Sequence, residues 1–75
     1  MLKLYKLCKL YNLHIEVKYD NEMDGMIFIF YDTKTKKRYE QCVPCIEIEY
    51  TRNIELLEDS LFRKVIDAFE LDNDL

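Results

Sequence analysis

The hydrophobic positions at the start of the chain repeat with the period of a helix. Four apolar residues recur at spacings of three and four, namely Met1, Leu4, Cys8 and Tyr11. Lysines occupy the positions between them, so the pattern predicts an amphipathic helix over residues 1–12 with its apolar stripe against the core. Leu2 and Leu10 fall on the lysine side, where we expect them to cover a sheet edge or to meet a partner.

The middle of the chain changes to the two-residue period of β-strands. Three runs carry the strand signal, and they are residues 14–19, 26–31 and 38–43. The outer two alternate between apolar and polar side chains, whereas the middle run is six consecutive apolar residues, as in a central strand. The Asp24-Gly25 pair and the lysine-rich segment 32–37 are turn signals. Together they predict a three-stranded antiparallel meander.

The chain beyond this sheet contains a second helical pattern. Pro44 ends the pairing because proline has no N–H to donate, and residues 45–50 then alternate, which predicts a short edge strand or an irregular crossing. Residues 53–71 return to helical spacing. The element order predicts one α+β domain over residues 1–75, an αβββα fold with both helices on one sheet face.

The charges are divided unequally along the chain. Residues 1–39 hold eight Lys and Arg against five Asp and Glu, residues 40–75 hold three against ten, and the net charge is −4. A field of one sign is typical of a protein that imitates a phosphate backbone or is steered towards a basic cleft. We therefore expect a basic protein partner, contacted by Glu47, Glu49, Glu55, Glu58, Asp59, Asp67 and Glu70.

The central strand supplies a second expectation about binding. Two helices on one side of a sheet leave its other side open, so one of the two alternating sets in residues 26–31 points away from them. An exposed aromatic stripe requires a cover, which is another copy of the protein or a target protein. The candidate apolar anchors are Phe28, Phe30 and Tyr31.

Several function classes are disfavoured by what the sequence contains. With a single glycine it has no glycine-rich phosphate loop, and its one histidine, His14, has no nucleophile near it in a recognisable setting, so we expect no enzyme and no cofactor. It contains no signal-peptide pattern and no apolar run long enough to span a membrane. We expect a cytoplasmic protein with reduced thiols and no membrane partner.

Two weaker alternatives rest on cysteines and lysines. The Cys42-Val43-Pro44-Cys45 motif permits a redox site, or a zinc site completed by Cys8 and His14, although Glu47 and Glu49 would raise the pKa of a nearby thiol. The segment with Lys34, Lys36, Lys37 and Arg38 could touch phosphates. The acidity of residues 40–75 opposes a polyanion, so direct nucleic-acid binding is disfavoured.

Composition and element order suggest an origin. The chain is rich in Phe, Tyr, Ile, Asn and Lys and poor in Gly, Ala, Arg and Pro, which suits an AT-rich bacterial mobile element. Its order of helix, three-stranded meander and acidic helix is similar to small phage and prophage accessory proteins, including a phage-encoded inhibitor of type II-A Cas9. The resemblance implies a non-enzymatic acidic inhibitor of a host nucleic-acid-binding or defence protein. The alternative is a homodimeric structural protein whose open sheet faces meet.

Overall fold

The computed structural model describes residues 2–71. Its three strands form one antiparallel sheet in which they lie in the order of the sequence. The elements are α1 (Leu2–Leu10), β1 (Leu13–Asp20), β2 (Gly25–Asp32), β3 (Arg38–Pro44), α2 (Cys45–Tyr50) and α3 (Ile54–Phe69). This confirms the predicted α+β fold and its αβββα order. Met1, which the helical pattern included, lies outside the described residues.

Helix α2 is the one element whose type the sequence pattern predicted wrongly. Alternation over residues 45–50 predicts a short edge strand or an irregular crossing, but the chain turns into a short helix there. The N–H of Cys45 donates to the carbonyl of Asp24 at 2.9 Å, which ties the start of α2 to the β1–β2 turn. Only Ile48 of its apolar side chains packs against the core, while Ile46 and Tyr50 stay exposed.

The inward face of β2 carries two buried aromatic rings. The side chains of Phe28 and Phe30 are both 0% exposed. They pack against residues of α1 and α3, and both helices lie on this face of the sheet, as predicted. The helical members of the core are Leu4, Cys8, Leu61, Phe62, Val65 and Phe69. Burial of two Phe rings and their neighbours is the main stabilising term available to a domain of this size.

The outward face of the sheet is apolar along its centre and charged along both edges. The outward side chains of β2 are Ile27, Ile29 and Tyr31. In the strand register Ile29 lies between Glu16 and Glu40, whose carboxylates pair with Lys18 and Arg38 on the same face. Ile29 is only 7% exposed as a result. The aliphatic stems of the flanking charged residues cover most of the stripe, so the expected exposed aromatic stripe is absent from this part of the described structure.

A buried carboxylate joins the two long helices. Glu58 of α3 is 1% exposed, and its Oε2 accepts a hydrogen bond from the backbone N–H of Leu4 in the first turn of α1. The first N–H groups of a helix have no partner within the helix, and a carboxylate is favoured there by the helix dipole. Beside it, Lys3 Nζ lies 2.8 Å from Asp59 Oδ1, which raises the pKa of Lys3. Glu58 therefore positions α1 beside α3.

No helix within residues 2–71 is long and apolar enough to cross a bilayer.

Replacing Glu58 with Ala is expected to lower the free energy of unfolding by about 2 kcal/mol or more, because the buried N–H of Leu4 loses its acceptor. Urea denaturation followed by circular dichroism at neutral pH measures this. Glu55→Ala is the matched control, since Glu55 lies on the same helix but is exposed, and its effect is expected to stay near 0.5 kcal/mol. Equal effects of the two substitutions would contradict the role of Glu58.

Candidate partner-binding surface

The antiparallel register brings two distant segments together at one end of the sheet. Gly25 pairs with Pro44 across β2 and β3, so the β1–β2 turn lies beside the start of α2. A Cβ on Gly25 would lie 2.9 Å from Cys42 Sγ and 3.0 Å from the carbonyl oxygen of Val43. Only glycine allows this close approach of the strands without displacement. We call the surface formed by residues 19–25 and α2 the acidic tip.

The acidic tip carries charge of one sign. It contains no Lys or Arg, and its carboxylates come from both segments: Asp20, Glu22 and Asp24 from the turn, Glu47 and Glu49 from the helix. Within residues 2–71 none of these five forms a salt bridge. Unpaired carboxylates clustered on one end of a small domain produce a negative potential that attracts cationic ligands.

Exposed apolar side chains lie among these carboxylates. Tyr19 is 55% exposed, Met23 66%, Ile46 64% and Tyr50 77%. Large apolar groups next to charge are typical of protein interfaces, where aromatic residues and Met are enriched. The acidic tip therefore combines charge that attracts a basic surface with apolar groups that can pack against it.

Asp24 organises the turn within the tip. Its backbone is left-handed, with φ of 46°, a conformation that Asp adopts more readily than most residues. The hydroxyl of Tyr19 donates a hydrogen bond to Asp24 Oδ1 at 2.9 Å. This bond stabilises the protonated form of Tyr19 and so raises its pKa. The bond to Asp24 thus anchors the hydroxyl of Tyr19, whose side chain remains exposed at the surface.

The acids that the sequence assigned to α3 do not form such a surface. Asp59 is paired with Lys3, and Glu70 Oε2 lies 3.9 Å from Lys37 Nζ at the opposite end of the domain. Glu55 and Asp67 are exposed, but Arg63 and Lys64 lie between them along the helix.

Three members of the predicted partner-binding set are corrected by their burial. Glu58 is in the core, where it binds α1, so it adds nothing to a surface that a partner contacts. Phe28 and Phe30 are also in the core, on the face of β2 that packs against the helices. Tyr31 is on the outward face and half-buried between His14 and Arg38. Of the acids predicted to contact a partner, Glu47 and Glu49 remain in the acidic tip.

The cysteines and the histidine that could have formed a metal site are far apart. Cys8 is buried under the helix face of the sheet, whereas His14 is on the outward face, opposite Tyr31. Cys42 pairs with Ile27, which lies four positions along β2 from Tyr31, the residue that pairs with His14. At about 3.4 Å per residue, Cys42 is therefore about 14 Å from His14 along the strand direction. Among the described residues no cluster of three potential ligands is present.

The thiols of Cys8 and Cys45 are also in surroundings that disfavour the reactive thiolate. Burial raises the pKa of the Cys8 thiol to about 12. The pKa of Cys45 is raised by desolvation and then by the carboxylate of Asp24, with a smaller contribution from Glu49. The predicted effect of Glu49 on a neighbouring thiol is thus confirmed in direction, and Asp24 is the stronger influence.

Sequence reasoning missed the turn carboxylates and the four exposed apolar residues. The turn carboxylates belong to residues 1–39, the less acidic half of the chain. Counting charges in each half therefore separates Asp20, Glu22 and Asp24 from Glu47 and Glu49. The signal that could have found them is the meander itself. In a three-stranded meander the first turn and the end of the third strand meet at the same sheet end.

No protein-family model, curated protein or solved structure matches this chain.

Alkylation with iodoacetamide at mildly alkaline pH is expected to leave Cys8 unmodified in the folded protein, because its thiol is buried and its pKa is raised to about 12. Cys45 is expected to react more slowly than a free cysteine, since a raised pKa reduces the thiolate fraction at that pH. Peptide mass spectrometry with and without urea measures both rates. Rapid reaction of Cys45 in the folded protein would restore the redox hypothesis.

Proposed function

We propose that this protein is a non-enzymatic binding module whose acidic tip occupies a basic site on a nucleic-acid-binding protein. The observation that carries the proposal is the composition of the tip: five carboxylates, no cation and four exposed apolar side chains. A site that binds phosphates is rich in Lys and Arg, and carboxylates placed at similar intervals satisfy the same cations.

The two kinds of residue in the tip have different tasks in this proposal. The carboxylates accelerate encounter with a basic surface and reject acidic ones. The aromatic and aliphatic groups supply most of the affinity, since buried Tyr and similar anchors dominate interface energetics. Tyr50 and Ile46 on α2 are the proposed anchors, and Glu47 and Glu49 are the proposed partners of Lys or Arg.

The class of partner is proposed from composition and from the resemblance. An AT-rich bacterial mobile element gains from inhibiting a host defence nuclease, and the element order is similar to that of a type II-A Cas9 inhibitor. The protein would then act in the cytoplasm of a bacterial host. Its target would be the basic channel through which such an enzyme binds nucleic acid, and inhibition would be competitive with the nucleic acid.

Charge reversal on α2 tests the proposal. The immobilised protein is expected to retain basic nucleic-acid-binding proteins from a bacterial lysate at low salt, to lose them at high salt, and to lose them in the variant Glu47→Lys with Glu49→Lys. Mass spectrometry identifies the retained proteins, and displacement by added DNA shows whether the nucleic-acid site is occupied.

The control variant is Asp67→Lys with Glu70→Lys, which makes the same change of charge at the opposite end of α3. If the acidic tip is the binding surface, this control variant is expected to retain the same proteins as the wild type. Equal loss in both variants would mean that total charge, and not the acidic tip, causes the binding. A second pair, Ile46→Ala with Tyr50→Ala, is expected to weaken binding at every salt concentration, because apolar contacts are not screened.

A further inference from the structure

Helix α1 has an outward face that the fold does not use. Leu2 is 66% exposed, Tyr5 46% and Leu10 60%, although each is large and apolar. Leu2, Lys6 and Leu10 are four residues apart and so lie along one line on the helix surface. The sequence left open whether Leu2 and Leu10 cover a sheet edge, and the exposure of both shows that they do not.

The cations of this face are available for a partner. Lys6 and Lys9 are exposed and form no salt bridge within the part of the chain that the structure describes, whereas Lys3 is held by Asp59. Lys6 also lines a shallow groove with Leu2, Lys3 and Glu55, where α1 meets the start of α3. The outward face of α1 is therefore cationic and apolar.

We propose that the outward face of α1 binds the acidic tip of a second copy of this chain. The two surfaces are complementary in charge, and both expose apolar area. Lys6 and Lys9 are opposite in sign to Glu47 and Glu49, and the exposed leucines of α1 provide apolar surface for Ile46 and Tyr50. Both surfaces carry unpaired charge and exposed apolar area that a contact would cover.

The dimensions of the two surfaces also agree. The nine residues of α1 extend about 13 Å and the six of α2 about 9 Å, so one helix can lie along the other without overhang. Each copy carries one surface of each kind. A contact between two different surfaces either closes, as a pair with two equal contacts, or continues head to tail into a longer assembly, and the mass at sedimentation equilibrium distinguishes the two.

This contact goes beyond the proposed function and has a consequence for it. In the self-associated form the acidic tip is covered, so a basic partner competes with a second copy for the same residues. The free tip then becomes available on dilution or when a stronger basic surface is present.

Sedimentation equilibrium of the wild-type protein at low and high sodium chloride tests the contact. Self-association is expected at low salt and is expected to weaken about tenfold or more in two charge-reversed variants. The first is Lys6→Glu with Lys9→Glu, which places carboxylates on both sides of the contact. The second is Glu47→Lys with Glu49→Lys, which places the new lysines of α2 opposite Lys6 and Lys9.

Mixing the two variants gives the sharpest readout. The unchanged tip of the first variant fits the unchanged α1 of the second, and the two reversed surfaces also attract each other, so the mixture is expected to associate although neither variant does so alone. Restored association also shows that both variants are folded. The matched control is Lys34→Glu with Lys36→Glu, which changes the charge equally in the β2–β3 loop and is expected to associate like the wild type.

Two outcomes would overturn the inference: a wild-type protein that is monomeric at low salt, or variants that stay monomeric when mixed. The proposed function is tested separately, because retention of a basic partner by the acidic tip needs Glu47 and Glu49 but not Lys6 and Lys9. A protein that binds a basic partner as a monomer would refute self-association alone. A protein that associates with itself and retains no basic partner would refute the proposed function alone.

Discussion

The alternation of side chains along β2 is the constraint on which the rest of this small domain depends. A strand must send successive residues to opposite faces, and β2 is apolar throughout, so the fold has to cover both sides of it. Phe28 and Phe30 point to the helices and form the core with α1 and α3. On the other side Ile29 is shielded by the charged residues of β1 and β3. With both faces covered, the sheet offers little apolar area to a partner.

The same sheet determines where the charges meet. An antiparallel meander returns the chain to the same end after two strands, which puts the turn carboxylates beside α2 and the lysines of the β2–β3 loop at the far end. The exposed large apolar residues are found at the acidic tip, on α1 and at the start of α3, where Ile54 and Leu56 are exposed. Binding, in this account, is a property of the end of the sheet and of one helix face.

Much of this fold could be predicted from the sequence because its periodic signals are local. Helical spacing in α1 and α3, alternation in β1 and β3 and the Asp24-Gly25 turn each depend on neighbouring residues. The type of α2 could not be predicted in this way. Its alternating Ile46, Ile48 and Tyr50 match a strand. The N–H of Cys45 at the start of the helix donates to the carbonyl of Asp24, a contact between distant parts of the chain that no local pattern reports.

The candidate surface was predicted only in part for the same reason. Glu58 and Glu55 have the same chemistry and lie on the same helix, and only the position of α1 makes one a buried partner of a backbone N–H and leaves the other exposed. Likewise the inward and outward sets of β2 are both apolar, so the strand itself gives no indication of which set faces the helices. Packing decides between them.

Binding at the acidic tip is tested most directly by an NMR titration of the isotopically labelled protein with a synthetic peptide of alternating lysine and leucine. We expect the chemical-shift changes of the backbone amides to be concentrated in residues 19–25 and in α2, and to become smaller when salt is added. Shifts concentrated at Asp67 and Glu70, or on the outward side of β2 at Ile27 and Tyr31, would contradict the assignment of binding to the acidic tip.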